Sequence, residues 1–264
     1  MKILILYSGG LDSKIMELYA KINHPNDEIK KVWFDIGQEY SEKEMKCLDS
    51  DVDIRKIDYL KDFKCVGKEG NPCGNIMIPG RNAVLALLGA SIYLPDEIWL
   101  GALCGETHKE ATDKNYEFLE KFNTFVNYVL SPYTKKEIKL RFPLADAGFG
   151  KLDSVKWALE NGLTKEELLL TSSCLSGEKG NCGVCIVCVR RWGIFTQLGI
   201  EEKYNKDLFE YEESLNYLRE VLLNDYYDNY RKEEIIPALR KYFDTNDNIK
   251  ICMYLEKLIK KGKC

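Results

Sequence analysis

The run Ser8, Gly9, Gly10, Leu11, Asp12 and Ser13 follows directly on the apolar segment Ile3-Leu4-Ile5-Leu6-Tyr7 and is the stretch best suited to hold an anion. A strand that ends in Gly-Gly lets successive backbone N–H groups approach a polyphosphate closely. A helix starting near Lys14 then aims the positive end of its dipole at the same point. Ser8 and Ser13 add hydroxyl donors, and Asp12 is placed to cap the helix. The run does not fit GxxxxGK[ST], which sets it apart from the kinase-type phosphate loop. The competing reading, an ordinary strand-to-helix turn of small residues, suits a bare Gly-Gly better than six such positions in a row.

A second group of residues points to metal. The chain has 10 cysteines, and Cys174, Cys182, Cys185 and Cys188 form C-x7-C-x2-C-x2-C. In a reducing compartment such clustering reads as a metal site and not as a disulfide framework. Cys182-Gly183-Val184-Cys185 supplies a tight knuckle in which glycine tolerates a left-handed backbone. Cys188 extends the knuckle by one helical turn, and Cys174 closes a tetrahedron from across the intervening loop. Four thiolates select zinc, and with every position filled by protein the metal is structural. An iron–sulfur cluster is the rival, but the ferredoxin-type run wants a further Cys followed by Pro. Cys47, Cys65, Cys73, Cys104, Cys252 and Cys264 show no ligand spacing and read as core or surface thiols.

At 264 residues, with 45% hydrophobic and 30% charged residues, the composition is that of a globular domain or slightly more. The net charge of −4 gives no electrostatic reason to expect nucleic-acid binding. No apolar stretch approaches the ~20 residues of a membrane span, and the N-terminus does not read as a signal peptide. A cytoplasmic location is expected.

These residues need a scaffold, and the pattern supplies one. Short apolar runs at Ile3–Tyr7, Val32–Asp35, Val52–Ile54, Glu97–Gly101 and Lys139–Leu144 alternate with helical segments. That alternation predicts an α/β fold with a doubly wound parallel sheet, in which ligands gather at the carboxyl ends of the strands. Ala83–Ala90 reads as a buried, nearly all-apolar helix. Phe118, Leu119, Phe122, Phe125 and Val126 mark the core face of another. Residues 1–165 are expected to form the nucleotide-binding domain, 166–200 a zinc-binding segment, and 201–264 a helical extension. The tyrosines of that extension read as helix-packing or interface residues.

The six-residue loop resembles the SGGxDS loop of the ATP pyrophosphatase (PP-loop) superfamily, whose members split ATP between its α and β phosphates. Together with Cys-x7-Cys-Gly-x-Cys-x2-Cys-x-Arg it resembles the 7-cyano-7-deazaguanine synthase family of the queuosine pathway. Asp35-Ile36-Gly37-Gln38, Pro79-Gly80-Arg81-Asn82, Pro143-Leu144 with Lys151, Thr171-Ser172-Ser173-Cys174 and Arg190 through Phe195 resemble that family's elements in order. The resemblance covers about residues 1–200. It implies ATP with Mg²⁺, a 7-deazaguanine carboxylate and ammonia as reactants, a homodimer, and a nucleotide-hydrolase-like sheet. It assigns catalysis to Asp12, Ser13, Arg81 and Lys151, ATP binding to Ser8–Ser13 and Asp35, and substrate binding to Gln38, Arg81 and Asp113.

The bland readings of the same residues stay open. Arg81 also suits a helix-start residue paired with an acid, and Lys151 a solvated lysine. Arg190 and Arg191 also suit a cover for the knuckle, and Asp35 a strand-end cap. One departure is plain: where the family shows an aspartate and a YPDCR-like run, this chain reads Ala102 to Asn115, with Asp113 the nearest stand-in. A diverged paralogue with another acceptor would look like this. So would a PP-loop transferase modifying an RNA base, or a non-enzymatic subunit whose tail docks on a protein partner.

Overall fold

The computed structural model describes residues 1–37, 40–57, 80–108, 112–176, 178–224 and 227–261. Gln38, Pro79 and the thiols Cys65, Cys73 and Cys264 lie outside the described residues.

The N-terminal apolar run is the middle strand of the sheet. β1 (Lys2–Leu6) lies between β2 (Glu28–Asp35) and β4 (Glu97–Trp99), with β3 (Asp53–Lys56) and β5 (Lys139–Arg141) at the edges, and every pairing is parallel. Ile3, Leu4 and Ile5 are fully buried, which follows from helices covering both faces of a parallel sheet. The strand order β3-β2-β1-β4-β5 reverses direction beside β1. The crevice at the carboxyl ends of β1 and β4 is therefore a topological switch point. The doubly wound sheet expected from sequence is the one observed.

Helices α1 (Leu11–Asn23), α2 (Ser41–Met45), α3 (Arg81–Tyr93), α4 (Tyr116–Leu130), α5 (Pro143–Asp146), α6 (Lys151–Glu160) and α7 (Lys165–Leu169) complete this part. Two expectations are corrected. α3 buries only Asn82, Ala86, Gly89, Ala90 and Tyr93. Its small residues let it lie close on β1, where a Cβ on Gly89 would come within 2.9 Å of Leu4, so Val84, Leu85, Leu87 and Leu88 are left half-buried. In α4, Leu119, Phe122 and Val126 are core, whereas Phe125 is 50% exposed because it falls off the buried stripe.

The described residues from Met1 to Thr171 form one compact unit and those from Ser172 onward another, so the clustered cysteines share a unit with the C-terminal helices. In the second unit α8 (Ile186–Leu198), α9 (Glu212–Leu223), α10 (Asn229–Tyr242) and α11 (Asn248–Lys261) enclose a core of Val189, Leu218, Val221, Ile235, Leu239, Ile251 and Leu255. Tyr217 is buried there and meets the Tyr227 ring edge-on at 5.9 Å, which is the packing role expected of these tyrosines. Among the described residues no helix is long and apolar enough to cross a membrane.

Candidate functional site

The Ser8–Ser13 loop leaves β1 and enters α1 within a few residues, and its backbone is set by glycine. Gly9 has φ +68°, and a Cβ there would lie 3.0 Å from the Cβ and carbonyl oxygen of Cys47. Only glycine fits a left-handed position so closely walled. The Ser13 hydroxyl donates to the Gly10 carbonyl at 2.9 Å, and the Gly10 N–H donates to Ser8 Oγ at 3.3 Å. Both hydroxyls are thus held at the helix N-terminus.

Asp12 does not cap α1, which starts at Leu11 after Gly10 with no side-chain cap. Its Oδ2 instead accepts from Lys151 Nζ at 2.9 Å. Lys151 opens α6 and is 4% exposed, which corrects the solvated reading: an ammonium so buried needs a countercharge. Glycine at position 101, just past β4, is in contact range, since a Cβ there would lie 3.5 Å from that of Asp12. The other carboxylate oxygen, Asp12 Oδ1, is buried with no hydrogen-bond partner. A buried orphan oxygen beside a helix N-terminus suits a cation that accompanies an anion.

The first turn of α3 organises the flank of the site. Arg81 Nη1 donates to the Tyr40 hydroxyl at 3.1 Å, and buried Asn82 donates from Nδ2 to the Asp113 carbonyl at 3.2 Å. Arg81 therefore meets a phenol where the bland reading had an acid. Among the described residues the Asp113 carboxylate has no hydrogen-bonding or ion-pairing partner, whereas Glu106 pairs with Lys114 at 3.6 Å. Asp35 closes the turn after β2: its Oδ1 accepts from the Gly37 N–H at 3.0 Å and from Ser41 Oγ at 2.9 Å.

Sequence reasoning missed the group behind the loop. Asp49 accepts from the Tyr7 hydroxyl at 2.8 Å, from Lys14 Nζ at 3.1 Å and from Lys31 Nζ at 3.1 Å. Lys31, 4% exposed, also donates to buried Glu17 at 2.8 Å. Against the upward pull of burial, bonds from Tyr7, Lys31 and Lys14 hold the Asp49 carboxyl well below its ordinary value. Burial, with the Asp49 bond, pushes Tyr7 far up. The available signal was a lysine inside strand β2, which cannot be buried without acids.

The four clustered cysteines are all buried, with their sulfurs within 4.8 Å of one another. Cys182 and Cys188 sulfurs lie 3.9 Å apart, against an edge of ~3.8 Å for a tetrahedron of zinc–sulfur bonds. The N–H groups of Ser176 and Cys182 donate to Cys174 Sγ, and that of Cys185 donates to Cys182 Sγ, at 3.3–3.4 Å. Hydrogen bonding with Cys182 for Cys174, and with Cys174 for Cys188, adds to burial in holding both thiols above the ordinary cysteine value. Four such groups become thiolates together only around a soft cation, so the donor set fits zinc. Gly183 has φ +86°, and a Cβ on it would collide with the Lys206 carbonyl oxygen.

Arg190 and Arg191 do more than cover the knuckle. Arg190 makes a two-pronged pair with Glu234 at 2.7 Å on both prongs, and Arg191 pairs with Glu202 at 2.8 Å. Both acids belong to the C-terminal extension, which is thereby fastened to α8.

The model of the family described as Queuosine biosynthesis protein QueC matches residues 55–199, more than half of the chain. The chain belongs to this family. The QueC match takes in Arg81, Asp113, Lys151 and the four cysteines. The Ser8–Ser13 loop precedes it and the C-terminal helices follow it. Among similar proteins are 7-cyano-7-deazaguanine synthases of Methanococcus maripaludis strain S2, Nitratiruptor sp. and Campylobacter curvus. The first is 26% identical over 235 residues, spanning 76% of this chain and 97% of the relative. The second is 27% identical over 224 residues, spanning 77% and 97%. The third is 28% identical over 224 residues, spanning 76% and 96%. About a quarter of this QueC-like chain lies outside the span it shares with each of these relatives.

Proposed function

We propose that the protein is an ATP-dependent ligase that converts 7-carboxy-7-deazaguanine to 7-cyano-7-deazaguanine. The observation that carries this reading is the loop itself: two hydroxyls at the N-terminus of α1, with the Asp12–Lys151 pair beside them and Asp12 Oδ1 without a partner. In it the substrate carboxylate attacks the α-phosphorus of ATP and pyrophosphate leaves, giving an acyl-adenylate. Ammonia displaces AMP to form the primary amide. The amide oxygen then attacks a second ATP, pyrophosphate leaves, and loss of AMP and protons from nitrogen gives the nitrile.

The residues' part is electrostatic. Ser8, Ser13 and the N–H groups at the start of α1 would hold the outer phosphates, Lys151 and Arg81 would neutralise charge at the α-phosphorus, and no histidine base is needed. Asp12 would hold the Mg²⁺ that accompanies ATP, which shields the phosphate charge. Asp35 is proposed at the adenosine end, and Gln38 with Arg81 on the deazaguanine. Asp113, an unpartnered carboxylate, would accept the N1–H and 2-amino donors of the guanine-like edge. One zinc per chain would tie the cysteine loop to α8 as a structural element.

The QueC family and the names of the relatives support this reading. Incubating the protein with ATP, ammonium and 7-carboxy-7-deazaguanine and weighing products by mass spectrometry tests it: nitrile and AMP are expected. No turnover of that acid, with ATP–pyrophosphate exchange on another carboxylate, would favour a second reading, a ligase with a different acceptor. The Glu106–Lys114 ion pair, where the family has its base-holding run, is the feature in that reading's favour.

A further inference from the structure

We propose that Asp49 is a positioning residue for the nucleotide loop, fixing the separation of the loop's two ends through its carboxylate. Tyr7 is the residue before Ser8, and Lys14 is the residue after Ser13. Both side chains end on Asp49, reached from 42 and 35 residues away in sequence. Asp49 Oδ2 takes the Tyr7 hydroxyl at 2.8 Å, and both its oxygens take the Lys14 ammonium at 3.1 Å. Of the bonds made by loop residues, Ser13 to Gly10 and Gly10 to Ser8 are local and shape the turn, while Asp12 reaches out to Lys151. The bonds to Asp49 hold the two residues that flank the turn.

Three further features make the anchor stiff. Cys47, two residues before Asp49, walls Gly9 at contact distance. Lys31 lies 3.1 Å from the same carboxylate and 5.0 Å from the Tyr7 ring centre, so the charge at Asp49 is balanced from the sheet side. Glu17 takes Lys31 at 2.8 Å and lies 3.4 Å from Lys14. The arrangement also assigns Lys14: its ammonium is held by Asp49 and Glu17, so it tethers the loop and is not a phosphate ligand. A misplaced loop weakens contacts to the outer phosphates of ATP and leaves contacts to the nucleoside as they were.

The proposal rests on the nucleotide reading of this loop, and calorimetry on the full chain separates the two. The probes are the magnesium complex of α,β-methylene-ATP and AMP, which lacks the two outer phosphates. Asp49→Asn is expected to raise the Kd of the triphosphate analogue about tenfold while AMP affinity stays at the wild-type value. Asp49→Glu should recover most of the loss. Asp51→Asn is the control, because 68%-exposed Asp51 touches Lys31 and no loop residue. If Asp49→Asn fails to fold, Tyr7→Phe and Lys14→Met each remove one tie and decide the matter with the same selective loss. Variants that bind the triphosphate as the wild type does, or lose AMP equally, overturn the proposal and leave the nucleotide reading standing. A wild-type protein that binds neither probe overturns both.

Discussion

Lys151 and Asp12 are 139 residues apart in the chain and 2.9 Å apart in the fold, and each explains what the other lacks. An ammonium 4% exposed is stable only beside a carboxylate, and Asp12, with one oxygen so engaged, keeps the other buried and open. On the proposed mechanism Lys151→Met is therefore expected to slow ATP–pyrophosphate exchange by about a hundredfold, since it would remove the cation proposed to face developing phosphate charge. Asp12→Asn, which keeps shape but not charge, should slow it comparably. Exchange within threefold of wild type in both variants would remove the pair from the chemistry. Acid stability tests Asp49 separately. Its folded pKa lies below the ordinary 3.8, so the fold favours the ionised form. That contribution is present above pH 3.8 and is lost as pH falls below it toward the folded value. The Tm of Asp49→Asn should accordingly fall less steeply than that of the wild type on acidification below that point. Parallel acid limbs would show that another carboxyl governs it.

Local chemistry made some elements legible and hid others. The strand–loop–helix unit at Ser8–Ser13 was readable because its hydrogen bonds close within six residues, and the cysteine knuckle because ligand spacing is a property of one turn. α3 was misread because hydrophobic content does not say which face a helix buries. Its contact with the sheet runs through Gly89 and two alanines, and the leucines are left at the margin. Tyr40 and Asp49 carried no signal, since each acts on a partner 41 or 42 residues away. Gly183 belongs to both classes: its left-handed backbone was foreseen, whereas the Lys206 carbonyl pressed against it comes from beyond the family match. Gly183→Ala adds backbone strain of about 1–3 kcal/mol and a collision that shifts the knuckle. The variant should surrender zinc to a chromophoric chelator at a markedly lower chelator concentration than the wild type, and equal titration curves would show that the extension does not press on the knuckle.

At the scale of the whole chain, two cores have different supports. The first unit rests on a five-stranded sheet whose middle strand is buried from Ile3 to Leu6, a construction that needs no metal. The second packs four helices around an aliphatic core, but its N-terminal part is a loop held by four sulfurs and a few backbone bonds. Its buried guanidinium groups depend on acids from the extension, Arg190 on Glu234 and Arg191 on Glu202. A buried ion pair that loses one partner costs about 3–5 kcal/mol, so Glu234→Ala alone should destabilise this unit strongly. Metal affinity in a site of this kind is folding energy, and losing it should unfold what the site organises. Chelation of the anaerobically purified protein is thus expected to turn one thermal transition into two. The lower one should carry helical signal from the second unit, and the upper one should report the sheet. Limited proteolysis of the chelated protein should then leave a resistant fragment ending near Thr171, where the two units part. A chelated protein that melts in one transition at the untreated temperature, with no new fragment, would mean that the four sulfurs hold no metal the fold depends on.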